Sequence, residues 1–256
     1  MKYICFIAIP RTGTNHLGRV VSGFANIRSQ YELFHTHAAY TLNSAEVEAV
    51  SKAAGATFKN YEDPALVAFA RSKPGAFLDA VAAANDATCA AVSYKVFPKH
   101  LDDALLRDAV LARADTGVVI VRRRLLASFL SLRKAEEVKK YIDVDTTGVK
   151  VTLKASAYRD WRTDVLDWYD RIDAMLAAVG KTPERLSYET EIDTDPYTLA
   201  GVLVEKFGRL GVTTTRDHGE PPALEKQDKS KSLQDSVANW DEFERELAAL
   251  GIPIDD

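Results

Sequence analysis

The chain has 256 residues, a length that suits one large domain, and 46% are hydrophobic against 27% charged, enough to bury a sizeable core. A net charge of −4 argues against a nucleic-acid partner, which needs a basic face. Its two cysteines, Cys5 and Cys89, each lie in an apolar run. They supply neither a disulfide framework nor a zinc site, and read as buried thiols.

The N-terminal run Tyr3–Ile9 is continuous, apolar and rich in β-branched and aromatic residues, which predicts a strand buried on both faces. As a secretory segment it is at the short limit, and it meets Pro10-Arg11 with no small-residue cleavage site. No later segment approaches a membrane span, so a cytoplasmic chain without stable membrane insertion is expected. A Gly/Thr turn follows, then a helix over Asn15–Ala25 with Leu17, Val20, Val21 and Phe24 at helical spacing. Residues 44–86 predict several short helices, broken at Gly55, Pro64 and Pro74-Gly75. Strands are expected at Cys89–Phe97 and Gly117–Val121, with a helix over Pro98–Ala114 between them and another running to about Lys140. Tyr141–Lys154 reads as a loop over a site, Ala155–Val179 as a long amphipathic helix, Arg185–Glu189 as a short strand and Pro196–Leu210 as a helix. The stretch Thr213–Ser236, with Pro221-Pro222, Lys226, Lys229 and Lys231, reads as an ordered loop or flap, and Asp241–Leu250 as a closing helix. This alternation predicts an α/β fold, a parallel sheet flanked by helices, in which ligands sit at the carboxyl ends of the strands. A single domain over 1–256 is expected, with a helical insertion at about 44–86 and a covering flap at about 213–236.

Two motifs carry chemistry. Pro10-Arg11-Thr12-Gly13-Thr14-Asn15 joins the first strand to the first helix. Gly13 lets the backbone turn closely around an anion, and the helix start presents free N–H groups and a positive dipole end. Thr12, Thr14 and Asn15 add side-chain hydrogen bonds, and Arg11 adds charge. The loop lacks the G-x-x-x-x-G-K-[ST] pattern of nucleotide triphosphatases, and by itself it also fits a capped helix after a tight turn. In the second motif, the GVVIV strand ends in Arg122-Arg123-Arg124, with Ser128 and Ser131 on the next helix. A nucleotide kinase would carry a magnesium-organising Asp on such a strand. Fork-shaped guanidinium groups instead favour phosphate. Which of the three arginines binds it stays open, and one of them also suits a solvated turn beside Glu136 or Glu137.

Together these motifs resemble the sulfotransferases that use 3′-phosphoadenosine 5′-phosphosulfate (PAPS). Arg11-Thr12-Gly13-Thr14-Asn15 fits the family's loop for the 5′-phosphosulfate, and Arg123 with Ser131 has the spacing of its 3′-phosphate pair. Tyr94-Lys95-Val96-Phe97, Leu186-Ser187-Tyr188-Glu189 and Lys226-Gln227-Asp228 with Asn239-Trp240 are similar to segments of the bacterial branch that sulfates carbohydrates and lipopolysaccharides. The resemblance implies a P-loop nucleotide-hydrolase-like sulfotransferase fold and PAPS as co-substrate without a metal. It also implies donor contacts from Arg11, Thr12, Gly13, Thr14, Asn15, Arg123, Ser131, Tyr188, Lys226 and Gln227, with the last two on a flap near the 3′-phosphate. Arg11 replaces the Lys of the animal cytosolic enzymes and acts only as an electrostatic clamp, because it holds its proton. His16 stands where many family members have an aromatic or apolar residue; it reads either as a functional donor or, the favoured reading, as a helix-start residue that tends to stay neutral.

A hydroxyl acceptor needs a general base. The segment Tyr31–His37 offers Glu32 first, by resemblance to related bacterial enzymes, and His35 second, because an imidazole titrates near neutral pH. The implied partner is a small-molecule or glycan acceptor touching Glu32–Tyr40 and Tyr141–Ser156, and a homodimer is left open. Rival readings are a P-loop-type nucleotide kinase and a non-catalytic adenine-nucleotide-binding protein.

Overall fold

A computed structural model describes residues 1–141, 144–216 and 232–254. Five strands, β1 (Lys2–Ile7), β2 (Ile27–Ser29), β3 (Ala91–Val96), β4 (Thr116–Arg122) and β5 (Glu184–Ser187), form one sheet. Their order is β2-β3-β1-β4-β5 and every pairing is parallel. Cys5 of the central strand pairs with Tyr94 on one side and Val118 on the other.

Parallel strands need crossovers, and the helices that supply them cover both faces. They are α1 (Thr14–Val21), α2 (Ser44–Ala54), α3 (Pro64–Ser72), α4 (Pro74–Ala83), α5 (Asp103–Leu105, continued as a π-turn over Leu106–Leu111), α6 (Leu125–Glu137), α7 (Ala155–Ala178), α8 (Pro196–Arg209) and α9 (Trp240–Ala249). The period of two along each strand sorts the core into two clusters. Tyr3, Cys5 and Ile7 join Val92, Tyr94, Val118 and Ile120 on the face covered by α2–α4, α6, α7 and α9. Ile4 and Phe6 join Ala91, Val119 and Val121 on the face covered by α1 and α8. The result is an α/β fold, a parallel sheet flanked by helices. No helix among the described residues is long and apolar enough to cross a membrane.

Most expected elements are present, and the departures have local causes. The helix expected over Pro98–Ala114 starts only at Asp103, where the Asp102 carboxylate accepts from Leu105 N at 2.9 Å. The residues before it form a turn in which Phe97 N donates to His100 Nδ1 at 3.2 Å. The strand expected over Arg185–Glu189 stops at Ser187 and passes into a π-turn over Tyr188–Ile192, so Tyr188 leaves the sheet. The edge strand β2 was not expected; three residues are too few to show a period. Of the loop expected over Tyr141–Lys154, residues 144–154 are irregular and partly packed. Val151 N donates to Ser236 O at 3.0 Å, and buried Lys134 on α6 donates to Ser236 Oγ at 2.7 Å. Lys226 and Gln227 lie outside the described residues.

Candidate anion site and its acid–base neighbour

The connection from β1 to α1 lies at the carboxyl edge of the central strand, where open parallel sheets place their ligands. Arg11 and Gly13 both have left-handed backbone, at φ 72° and 77°. Such alternation around Thr12 turns successive N–H groups toward one concavity, an anion-binding arrangement. Thr12 Oγ1 is spent inside the loop, donating to Ile9 O at 2.8 Å, and Thr12 is fully buried. Gly13 caps α1 with no side-chain bond to the first turn, which leaves the helix-start N–H groups for another acceptor. A Cβ on Gly13 would sit 2.6 Å from the Tyr188 ring, so only glycine fits there.

The alternation of β4 also separates the three arginines. Arg122 follows the face of Ile120 toward α7, where its guanidinium lies 4.4 Å from the Tyr169 ring centre and 3.7 Å from Asp173. Arg124 turns outward to Glu189, whose Oε1 accepts from Arg124 N at 3.0 Å. Arg123 points to the loop. Its Nη1 donates to Arg11 O at 2.8 Å, its guanidinium stacks 4.1 Å from the Tyr188 ring centre, and its buried Nε has no hydrogen-bond partner among the described residues. Arg11 in turn donates from Nε to Ser131 Oγ at 3.0 Å and from Nη1 to Tyr141 O at 2.6 Å. Burial and then the neighbouring Arg123 charge push the Arg11 pKa down. Arg11, Arg123, Ser131, Gly13 and Tyr188 therefore meet in one cluster. Ser131 is held by Arg11 rather than by Arg123.

Beside this cluster, at the ends of β2 and β3, the charges are of mixed sign. Lys95 is 2% exposed; its Nζ donates to Asn15 Oδ1 at 2.6 Å and lies 4.3 Å from the Tyr31 ring centre. Asn15 thus faces Lys95 with its side-chain oxygen. Burial lowers the Lys95 pKa to about 7 against the pull of Glu32, and burial raises the Glu32 pKa against the pull of Lys95. His100 Nε2 is 3.7 Å from Glu32 Oε2. Burial, reinforced by His35 and Arg71, takes the His100 pKa to about 3, so His100 is neutral at ordinary pH. With Nδ1 accepting from Phe97 N, its remaining proton is on Nε2, facing Glu32. His35 packs 5.8 Å from His100 and 5.1 Å from Tyr40, ring centre to ring centre. Its Nδ1 accepts from His37 N at 3.2 Å, and burial lowers its pKa. The buried His16 Nδ1 has no hydrogen-bond partner among the described residues, and burial lowers the His16 pKa too, in line with a neutral helix-start residue.

Sequence reasoning quoted Lys95 only within a family-like segment and gave His100 no role. The available signal was a lysine inside the largely apolar strand run AVSYKVF, since lysine is almost never fully buried without a partner. No family model and no curated protein matches this chain.

Proposed function

We propose that this chain is a PAPS-dependent sulfotransferase with a P-loop-like sulfotransferase fold, transferring the sulfuryl group to an acceptor hydroxyl on a carbohydrate or glycolipid. The observation that carries the reading is Arg123. The half-buried guanidinium of Arg123, after the end of β4, donates to the loop after β1 through Nη1 and has a buried Nε with no hydrogen-bond partner among the described residues. An unsatisfied donor on a cation calls for an anionic acceptor, and a phosphate group on a nucleotide supplies it.

In this reading the N–H groups of Thr12–Asn15 hold the 5′-phosphate, and Arg11 neutralises charge on the transferring group. Arg123 and Ser131 hold the 3′-phosphate, and Tyr188 packs against the nucleotide. Lys226 and Gln227 complete the donor site by resemblance. Glu32 removes the acceptor hydroxyl proton as the acceptor oxygen bonds to sulfur and the sulfur–oxygen bond to the nucleotide breaks. The leaving group is 3′-phosphoadenosine 5′-phosphate. His35 is the second candidate base. The work is positioning and electrostatic stabilisation, as in phosphoryl transfer.

Titration calorimetry with 3′-phosphoadenosine 5′-phosphate against ATP, both without metal, tests the reading. Preference for the 3′-phosphorylated nucleotide supports it. Preference for ATP, above all with magnesium, points to a kinase instead.

A further inference from the structure

Lys95 is the only charged side chain in β3, and it lies on the sheet face that α1 covers. Three segments bound its surroundings. From α1 comes the Asn15 oxygen, together with the positive end of the helix dipole, which disfavours a cation. The segment after β2 brings the Tyr31 ring and the Glu32 carboxylate, both favouring the cation. From the turn after β3 comes His100, neutral and itself under the influence of His35 and Arg71. One hydrogen bond and one ring face are little compensation for an ammonium with three donors. The charge stands near balance between burial and Glu32.

We propose that Lys95 is the proton-linked part of this anion site, taking a proton from solvent when a phosphate or sulfate group occupies the Arg11–Asn15 loop. This rests on the loop being an anion site, as in the function proposed above. Asn15, the last residue of the loop, is the hydrogen-bonded link between the two. With a free-state pKa of about 7, Lys95 is only partly charged near neutral pH, and an adjacent anion favours the charged form. A charged Lys95 in turn favours ionised Glu32, so occupancy of the donor loop readies the candidate base across the site. Linkage then makes anion affinity fall with rising pH above about 7, approaching tenfold per pH unit until the bound-state pKa is reached.

The test is titration calorimetry in HEPES and Tris, whose ionisation enthalpies differ, with inorganic sulfate and, separately, 3′-phosphoadenosine 5′-phosphate as probes. Sulfate does not titrate in this range, and the nucleotide phosphates are fully ionised at pH 8. The wild type should take up a fraction of a proton on binding sulfate at pH 7 and more at pH 8, and should take up protons on binding the nucleotide at pH 8. Lys95→Met, which exchanges a buried charge for an apolar chain of similar length, should bind with no uptake. Glu32→Gln removes the charge that favours the ammonium, and should raise the uptake at pH 7 toward one proton. Buffer-independent heats in the wild type, or full uptake in Lys95→Met, overturn the proposal. Sulfate binding with uptake but no nucleotide binding keeps Lys95 and removes the sulfotransferase reading. Nucleotide binding without uptake does the reverse, and binding of neither probe overturns both.

Discussion

At the ends of β1 and β4, two guanidinium groups share one loop, and Arg123 forms no ion pair among the described residues. At the ends of β2 and β3, a few residues away, a carboxylate lies among a lysine and histidines; Glu32 and Lys95 pull each other's titration, and Lys95 and His35 lower that of His100. In the first region Arg123 keeps an unpartnered donor, which suits a ligand of the opposite sign. The second is nearly balanced within the protein and suits a neutral substrate whose proton must be moved. A donor nucleotide and a hydroxyl acceptor fit that division better than two charged substrates would.

If the division holds, the two regions respond differently to substitution. Glu32→Gln should lower turnover by about 100-fold or more, the range of a lost general base, while binding of the desulfated nucleotide changes by less than about threefold. Turnover and binding constants measured on one preparation check this, and a large loss of nucleotide affinity would move Glu32 into the donor site. Arg11→Ala should also reduce turnover by more than it weakens nucleotide binding, by about 100-fold or more if its charge acts on the transferring group. Equal losses would make Arg11 a simple anchor.

Smaller effects concern stability. Gly13→Ala should destabilise the protein by about 2–4 kcal/mol, combining left-handed strain with overlap against Tyr188. Gly148→Ala, also left-handed but with nothing within 4 Å of its Cβ, should cost only about 1–2 kcal/mol. Denaturant midpoints compare the two, and equal costs would mean that the Tyr188 ring does not press on Gly13. Finally, His100 binds fewer protons folded than unfolded between pH 6.5 and about 3. Its contribution is therefore complete above pH 6.5 and is lost as pH falls toward 3. His100→Asn should flatten the acid limb of the stability–pH curve by up to about one proton. An unchanged slope would mean that His100 is not the buried neutral group described.

Much of the frame was legible because it rests on strong local signals. Tyr3–Ile9 and GVVIV are apolar at every position, as strands covered on both faces must be, and β1 and β4 follow. The Gly13 turn was legible because few other conformations suit R-T-G-T at a strand-to-helix joint. The choice among Arg122, Arg123 and Arg124 was open only until their faces were assigned, since the period of two already sends neighbours apart. What sequence could not show was set by tertiary structure. Lys95 meets Asn15 across 80 positions, and Arg11 meets Ser131 across 120. The π-turn that swings Tyr188 over Gly13 has no local signature, and neither has the turn that aims His100 at Glu32.

Under the proposed function, Arg123 holds a phosphate that adenosine 5′-phosphate lacks. The most direct measurement is the ratio of dissociation constants for adenosine 5′-phosphate and 3′-phosphoadenosine 5′-phosphate, in the wild type and in Arg123→Ala. A charge-assisted hydrogen bond to that phosphate is worth about tenfold to a hundredfold in affinity. At least that preference for the 3′-phosphorylated nucleotide is expected in the wild type, with collapse toward unity in Arg123→Ala. Equal affinity for the two nucleotides in the wild type, or an undiminished ratio in the variant, would contradict it.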